Sequence, residues 1–249
     1  MPIDYLRRLS GHERTPQANR HLGLSLALVA GAANAGGFLA VQQYTSHMTG
    51  IVSSMADHIA LGNFTLALAG LVSIACFLLG AMVSALLVNW GRDNGLRSQY
   101  ALPLLLEAAL LMVFGIVGSH LQQQVTLYVS LTVLLLCFMM GLQNAIITKV
   151  SHAEIRTTHV TGLITDIGIE LGRMLYWRGH PVAPETAAFN RQRLGTHAAL
   201  VLMFFAGGVI GATGFQRMGF QAVLPLAFFL LVLSLVPVLD DLRHGRVRE

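Results

Sequence analysis

Blocks of apolar residues, each close to the length of ~20 that an α-helix needs to cross the hydrocarbon core of a bilayer, recur along the chain. They lie at roughly 22–41, 64–88, 101–119, 125–147, 196–215 and 220–239. In lipid no water satisfies a loose amide, so such a chain must fold as helices packed on one another. Only 11% of its residues are charged and 54% are hydrophobic, where soluble domains carry about 25% charged residues. Too few charges remain to cover a water-facing surface. The chain reads as an all-α integral membrane protein with six transmembrane helices, the lipid bilayer as its partner, and no sizeable soluble appendage.

Residues 1–21 are polar and read as a cytoplasmic N-terminal segment, 22–240 as a single membrane domain and 241–249 as a cytoplasmic tail. Ala33-Asn34-Ala35 imitates the cleavage site of a signal peptide. The same Gly-x-x-Asn-Ala returns at Gly141 to Ala145, however, where cleavage makes no sense. Two shorter segments, about 50–62 and 160–177, are amphipathic and read as short helices that do not span. They carry Asp57 and His58 in one, and Asp166, Glu170 and Arg173 in the other. For these carboxylates a solvated or loop-paired face is the simpler expectation. Cys76 and Cys137 lie inside apolar blocks, so no disulfide framework is expected.

An internal repeat organises the blocks. Gly31-x-x-Asn34-Ala35 matches Gly141-x-x-Asn144-Ala145, and Thr45-Ser46-His47-Met48-Thr49-Gly50 matches Thr157-Thr158-His159-Val160-Thr161-Gly162. Looser echoes follow in the same order: Phe77-x-x-Gly80-Ala81 with Phe204-x-x-Gly207-Gly208, and Leu102-Pro103-Leu104 with Leu224-Pro225-Leu226. Repeat one covers about 22–119 and repeat two about 125–239. Each reads as three spanning helices, the first of them broken and followed by a short helix.

Charge orients the copies. With six spans and the N-terminus inside, every Lys and Arg except Arg217 falls on the cytoplasmic side, in keeping with the positive-inside rule. Counting the short segments as spans would move Arg92, Arg97, Lys149 and Arg156 outside. The net charge of +4 is therefore a topology signal, and no nucleic-acid partner is expected. A three-span unit ends on the opposite side from where it began, so the second copy is inverted. Inverted repeats with broken helices at matching positions point to a transporter-like site near the midplane.

The candidate residues sit at those breaks. Asn34 and Asn144 both donate and accept, and so can satisfy loose backbone or a polar solute. Thr49 and Thr161 are placed to cap the short helices, and Gly50 and Gly162 to let the chain turn. A helix N-terminus there suits an anion. His47 and His159 hold equivalent positions and titrate near neutrality. Structural stitching of the breaks and a solute or ion site both remain open. Glu107 lies about 9 Å into the third span at 1.5 Å per residue; an intramembrane carboxyl marks a functional site by default, here a proton-coupling group or a locally paired acid. No carboxylate or Cys repeats at ligand spacing around either His, and no nucleotide loop or hydrolase elbow appears. No catalytic residue, cofactor or metal is expected, so the chain reads as not an enzyme.

At the duplicated His-x-Thr-Gly the chain resembles the YoaK-like family of membrane proteins (domain of unknown function 1275). The resemblance runs over 22–240 and is most specific at Ser46 to Gly50, following Gly31 to Phe38. It implies a multi-span protein of the bacterial inner membrane and supplies no substrate. In the family Asn usually follows the Thr-Gly; here Ile51 and Leu163 take its place. The leading expectation is a small secondary transporter or channel-like carrier of a small solute or ion, with a homo-oligomer compatible with it. The alternatives are a non-transporting scaffold or regulator and, behind it, an intramembrane enzyme acting on lipid.

Overall fold

The computed structural model describes residues 5, 7, 9–11, 15–41, 44–121, 125–151 and 155–244, and every regular element among them is helical. In chain order these are α1 (Pro16–Val41), α2 (Met48–Ala60), α3 (Phe64–Asp93), α4 (Ala101–Leu121), α5 (Val125–Val150), α6 (Val160–Tyr176), α7 (Pro184–Met218), a 3-10 turn (Gly219–Val223) and α8 (Leu224–His244). Arg8, Arg14, Arg246 and Arg248, used in the charge argument, lie outside the described residues.

Local chemistry sets the ends. Pro16 and Pro184 open α1 and α7 ahead of the apolar blocks, at a position where a missing N–H leaves nothing unpaired. Thr15 caps α1, its hydroxyl accepting the Ala18 N–H at 3.1 Å. Gly62 (φ 75°) makes the tight turn from α2 into α3, and Gly219 (φ 58°) stops α7; both need the left-handed region that only glycine enters freely.

Four stretches are long and apolar enough to cross a membrane: Pro16–Leu39, Phe64–Asp93, Leu131–Val150 and Pro184–Arg243. The last is 60 residues long and holds both α7 and α8. In α4 the apolar stretch Ala101–Ile116 is shorter. The pattern of burial agrees with a lipid surface. On α3 the buried residues are Ala67, Ser73, Gly80, Ser84, Val88 and Gly91, while Leu68, Leu78, Met82 and Leu86 are exposed. Water would reverse that order; in lipid, small residues turn inward so that backbones approach, and large apolar ones face the acyl chains. This is a membrane protein.

The helices pair in a matched way. α1 packs along α7 and α3 along α5 as the two most extensive contacts, followed by α4 with α8; α2 lies on α3 as α6 lies on α7. A Cβ on Gly31 would overlap the Phe204 carbonyl, and one on Gly207 the Leu28 carbonyl. The other seam does the same: Gly141 meets the Phe77 carbonyl and Gly80 the Phe138 carbonyl. The two helices in each of these seams run parallel. α1 and α5 run antiparallel, with Asn19 Nδ2 donating to the Val150 carbonyl at 3.0 Å near one end and Gly37 against Leu136 towards the other. α4 and α8 are also antiparallel. Asp241 accepts the Arg97 and Ser98 N–H groups at 2.9 Å each, and the Phe114 and Phe220 rings meet edge to face at 5.4 Å.

One orphan of the fold is repaired from a distance. Pro237 lies inside α8 and gives no N–H to the Leu233 carbonyl one turn back. The Ser10 hydroxyl donates to that carbonyl, so the chain ahead of α1 completes a helix more than two hundred residues away.

Candidate functional site

Asn34 sits in α1 seven residues before its last, Val41, about 10 Å back along the axis. Its side chain is nearly buried, and Oδ1 accepts from Ser46 Oγ at 2.8 Å and from the Ser46 N–H at 3.3 Å. A residue beyond the helix end therefore meets a residue well inside it, so the chain doubles back along α1. The second break repeats this. Asn144, six residues before the end of α5, accepts from Thr158 Oγ1 at 2.7 Å and donates its amide to the Met140 carbonyl at 2.8 Å. Ser46 and Thr158 are equivalent in the repeat, so one pin is built twice from the same positions.

Next to each pin lies a second matched feature. Thr45 and Thr157 are 1% and 0% exposed, and neither hydroxyl has a hydrogen-bond partner. Buried hydroxyls are almost always paired, because leaving one unpaired costs ~1–3 kcal/mol. Two such groups at equivalent positions are hard to assign to chance packing.

The helices that follow start earlier than the Thr-Gly pairs imply. α2 begins at Met48 and α6 at Val160, so the capping positions fall to His47 (φ −94°, ψ 70°) and His159 (φ −85°, ψ 59°). Neither makes a side-chain capping bond. Thr49 and Thr161 are exposed and lie one residue inside the helices, which corrects the capping role expected of them: their own backbone is already helical. Gly50 and Gly162 are likewise helical rather than turn residues; the His47 ring packs where a Cβ of Gly50 would sit. His47 and His159 are exposed, and among the described residues no hydrogen bond, ring contact or ion pair joins them. In the link outside the spanning helices, desolvation and then the Arg156 guanidinium hold the His159 pKa below its ordinary value. The position equivalent to Arg156 is Tyr44, whose ring stacks on Phe38 at 4.4 Å.

Glu107 makes no hydrogen bond to either pin among the described residues, but it meets Gln143, the sequence neighbour of Asn144. It is 1% exposed, and its Oε1 accepts from Gln143 Nε2 at 3.0 Å. Among the described residues no group of three His, Cys, Asp or Glu side chains is placed to hold a metal ion.

One polar cluster escapes a reading by composition. Glu170, expected on a solvated or loop-paired face, is 2% exposed. His197 Nδ1 lies 3.1 and 3.3 Å from its two carboxylate oxygens, Arg193 Nε lies 3.5 Å away, and Asn190 Nδ2 donates to its carbonyl at 3.1 Å. The signal was present: Asn190, Arg193 and His197 recur at helical spacing and so form one polar stripe on α7. Asp57, by contrast, is exposed.

No curated protein and no solved structure matches the chain. The family model described as a protein of unknown function, DUF1275, matches residues 22–236, which takes in both pins, both threonines and the Glu107–Gln143 pair. The chain belongs to the DUF1275 family.

Proposed function

We propose that this protein is a small secondary carrier of a polar solute or ion, built from two inverted three-span halves whose broken helices form the site. The observation that carries the reading is the doubled break: Asn34 with Ser46 and Asn144 with Thr158, each beside a buried, unpartnered threonine hydroxyl. Irregular backbone at membrane depth is tolerated where it is buried in protein or lines a wet cavity. Matched glycine seams between α1 and α7 and between α3 and α5 support the duplication, and the antiparallel α1–α5 contact supports its inversion. The proposed lining is Asn34, His47, Thr49, Asn144, His159 and Thr161, with Thr45 and Thr157 added, and Glu107 as the proton-coupling acid. The distribution of Lys and Arg supports cytoplasmic termini, and the resemblance to a family of bacterial multi-span proteins supports a bacterial inner membrane as the site of action. No catalytic residue enters the reading.

A second reading, a non-transporting scaffold, is favoured by the close glycine packing and by pins that tie each link back onto its own helix. Uptake by vesicles containing the protein separates the two. In a screen of small polar solutes the carrier reading predicts uptake by the wild type. Asn144→Ala and His47→Ala lower it by roughly five- to tenfold, as expected for a lost solute hydrogen bond of about 1–1.5 kcal/mol. A folded protein that moves none of the solutes favours the scaffold.

A further inference from the structure

Glu107 and Gln143 are 1% and 0% exposed, and one hydrogen bond joins them, from Gln143 Nε2 to Glu107 Oε1 at 3.0 Å. The remaining oxygen of each side chain, Glu107 Oε2 and Gln143 Oε1, is buried with no partner. No Lys, Arg or His among the described residues forms an ion pair with Glu107. An ionised carboxylate has only acceptors to offer, so both oxygens stay orphaned. Turning the Gln143 amide over does not help, since it then sets an acceptor against an acceptor. A proton on Oε2 supplies the missing donor. A carboxylic acid and a primary amide each carry a donor and an acceptor, so the acid form matches Gln143 in hydrogen-bonding character where the carboxylate does not. One proton removes the unpaired charge and makes Oε2 a donor beside a side chain whose own oxygen lacks one.

The repeat adds a second argument. Aligning Leu102-Pro103-Leu104 with Leu224-Pro225-Leu226 puts Phe229 opposite Glu107, and aligning Asn34 with Asn144 puts Ala33 opposite Gln143. Both equivalent positions are apolar, so the pair, which joins one half to the other, has no symmetry mate. Its helices also make a contact that departs from the match: α4 leans on α5, while the contact between α8 and α1 is at most slight among the described residues. Apolar side chains hold a buried contact as well as a buried polar pair does, which leaves stability a poor reason for this one.

We infer that Glu107 is a proton-binding site, holding a proton against Gln143 in this conformation, and that H⁺ is the coupling ion of the carrier. The existence of the site stands on the side-chain chemistry alone; its use in coupling rests on the carrier reading. Separation of α4 from α5 removes Gln143 and admits water. The O–H bond then breaks, the proton passes to water and the carboxylate remains; reclosure takes one proton back.

Two measurements keep these claims apart. Infrared difference spectra of the protein in lipid vesicles, wild type against Glu107→Gln, read the protonation state without any solute. The expected result is a carboxylic-acid carbonyl band that is lost in Glu107→Gln and shifted in Gln143→Leu. Carboxylate bands alone for Glu107 would overturn the site, with the carrier reading intact. Thermal unfolding guards against a trivial loss: Glu107→Gln keeps the donor and acceptor pattern of the acid and should leave Tm within a few degrees. For coupling, an imposed pH gradient should drive uptake in the wild type and lose its effect in Glu107→Gln. Uptake indifferent to the gradient would overturn H⁺ coupling, and an acid band in a protein that moves no solute would overturn the carrier reading instead.

Discussion

At the scale of single residues the structure turns on side chains that repair backbone. Asn144 faces two ways, accepting from Thr158 while donating to the carbonyl of its own preceding turn. Its removal leaves the Thr158 hydroxyl short of an acceptor. Asn144→Ala is expected to lower stability by about 1–3 kcal/mol. Thr158→Val should cost less, because it removes the donor and leaves Asn144 with its second bond. Denaturation in detergent micelles of both single variants and the double variant checks this. A coupling energy of at least ~0.5 kcal/mol between the sites is expected for residues in direct contact. These residues were legible in the sequence because they recur. What the sequence did not show is the direction of the bonds. Asn34 and Asn144 could be picked out, but their partners Ser46 and Thr158 follow only once the chain is seen to double back. Glu170 was misread for a related reason: its partner His197 lies 27 residues away on another helix, beyond the reach of local patterning.

At the scale of helices, two glycine seams decide which elements touch. Gly80 and Gly141 bring α3 against α5, and Gly31, Gly207 and Gly211 bring α1 against α7. Any larger side chain there meets backbone, which cannot move aside as a flexible side chain can. Gly80→Leu and Gly207→Leu are each expected to cost more than about 3 kcal/mol, at the severe end for point substitutions, and to cut the yield of folded protein. Gly168 on α6 is the control, since nothing lies within 4 Å of an added Cβ. Gly168→Ala should be neutral or stabilise by up to ~1 kcal/mol. Thermal unfolding of the purified variants tests both expectations. The long helices themselves were legible from block length. Their ends were not, because α1 and α7 continue as helices through polar residues that carry no hydropathy signal. The short helices likewise start at Met48 and Val160 rather than at the Thr-Gly pairs; the backbone is free to turn helical as soon as the doubled-back segment is pinned.

At the scale of the whole molecule, the proposed carrier is two halves that face opposite sides of the membrane. The parallel pairs α1–α7 and α3–α5 and the antiparallel pairs α1–α5 and α4–α8 are what such an arrangement requires. The Glu107–Gln143 pair and the Glu170–His197 cluster are polar exceptions to the symmetry. The most direct measurement of the central claim uses the two turns that join a short helix to the long helix after it. Asn63 and Gly179 occupy them, and both are exposed. Single cysteines placed there, in a background without Cys76 and Cys137, are labelled in sealed vesicles with a thiol reagent that does not cross the membrane. The account predicts that Asn63→Cys is modified from the external face alone and Gly179→Cys from the cytoplasmic face alone. Modification of both from the same face would contradict it.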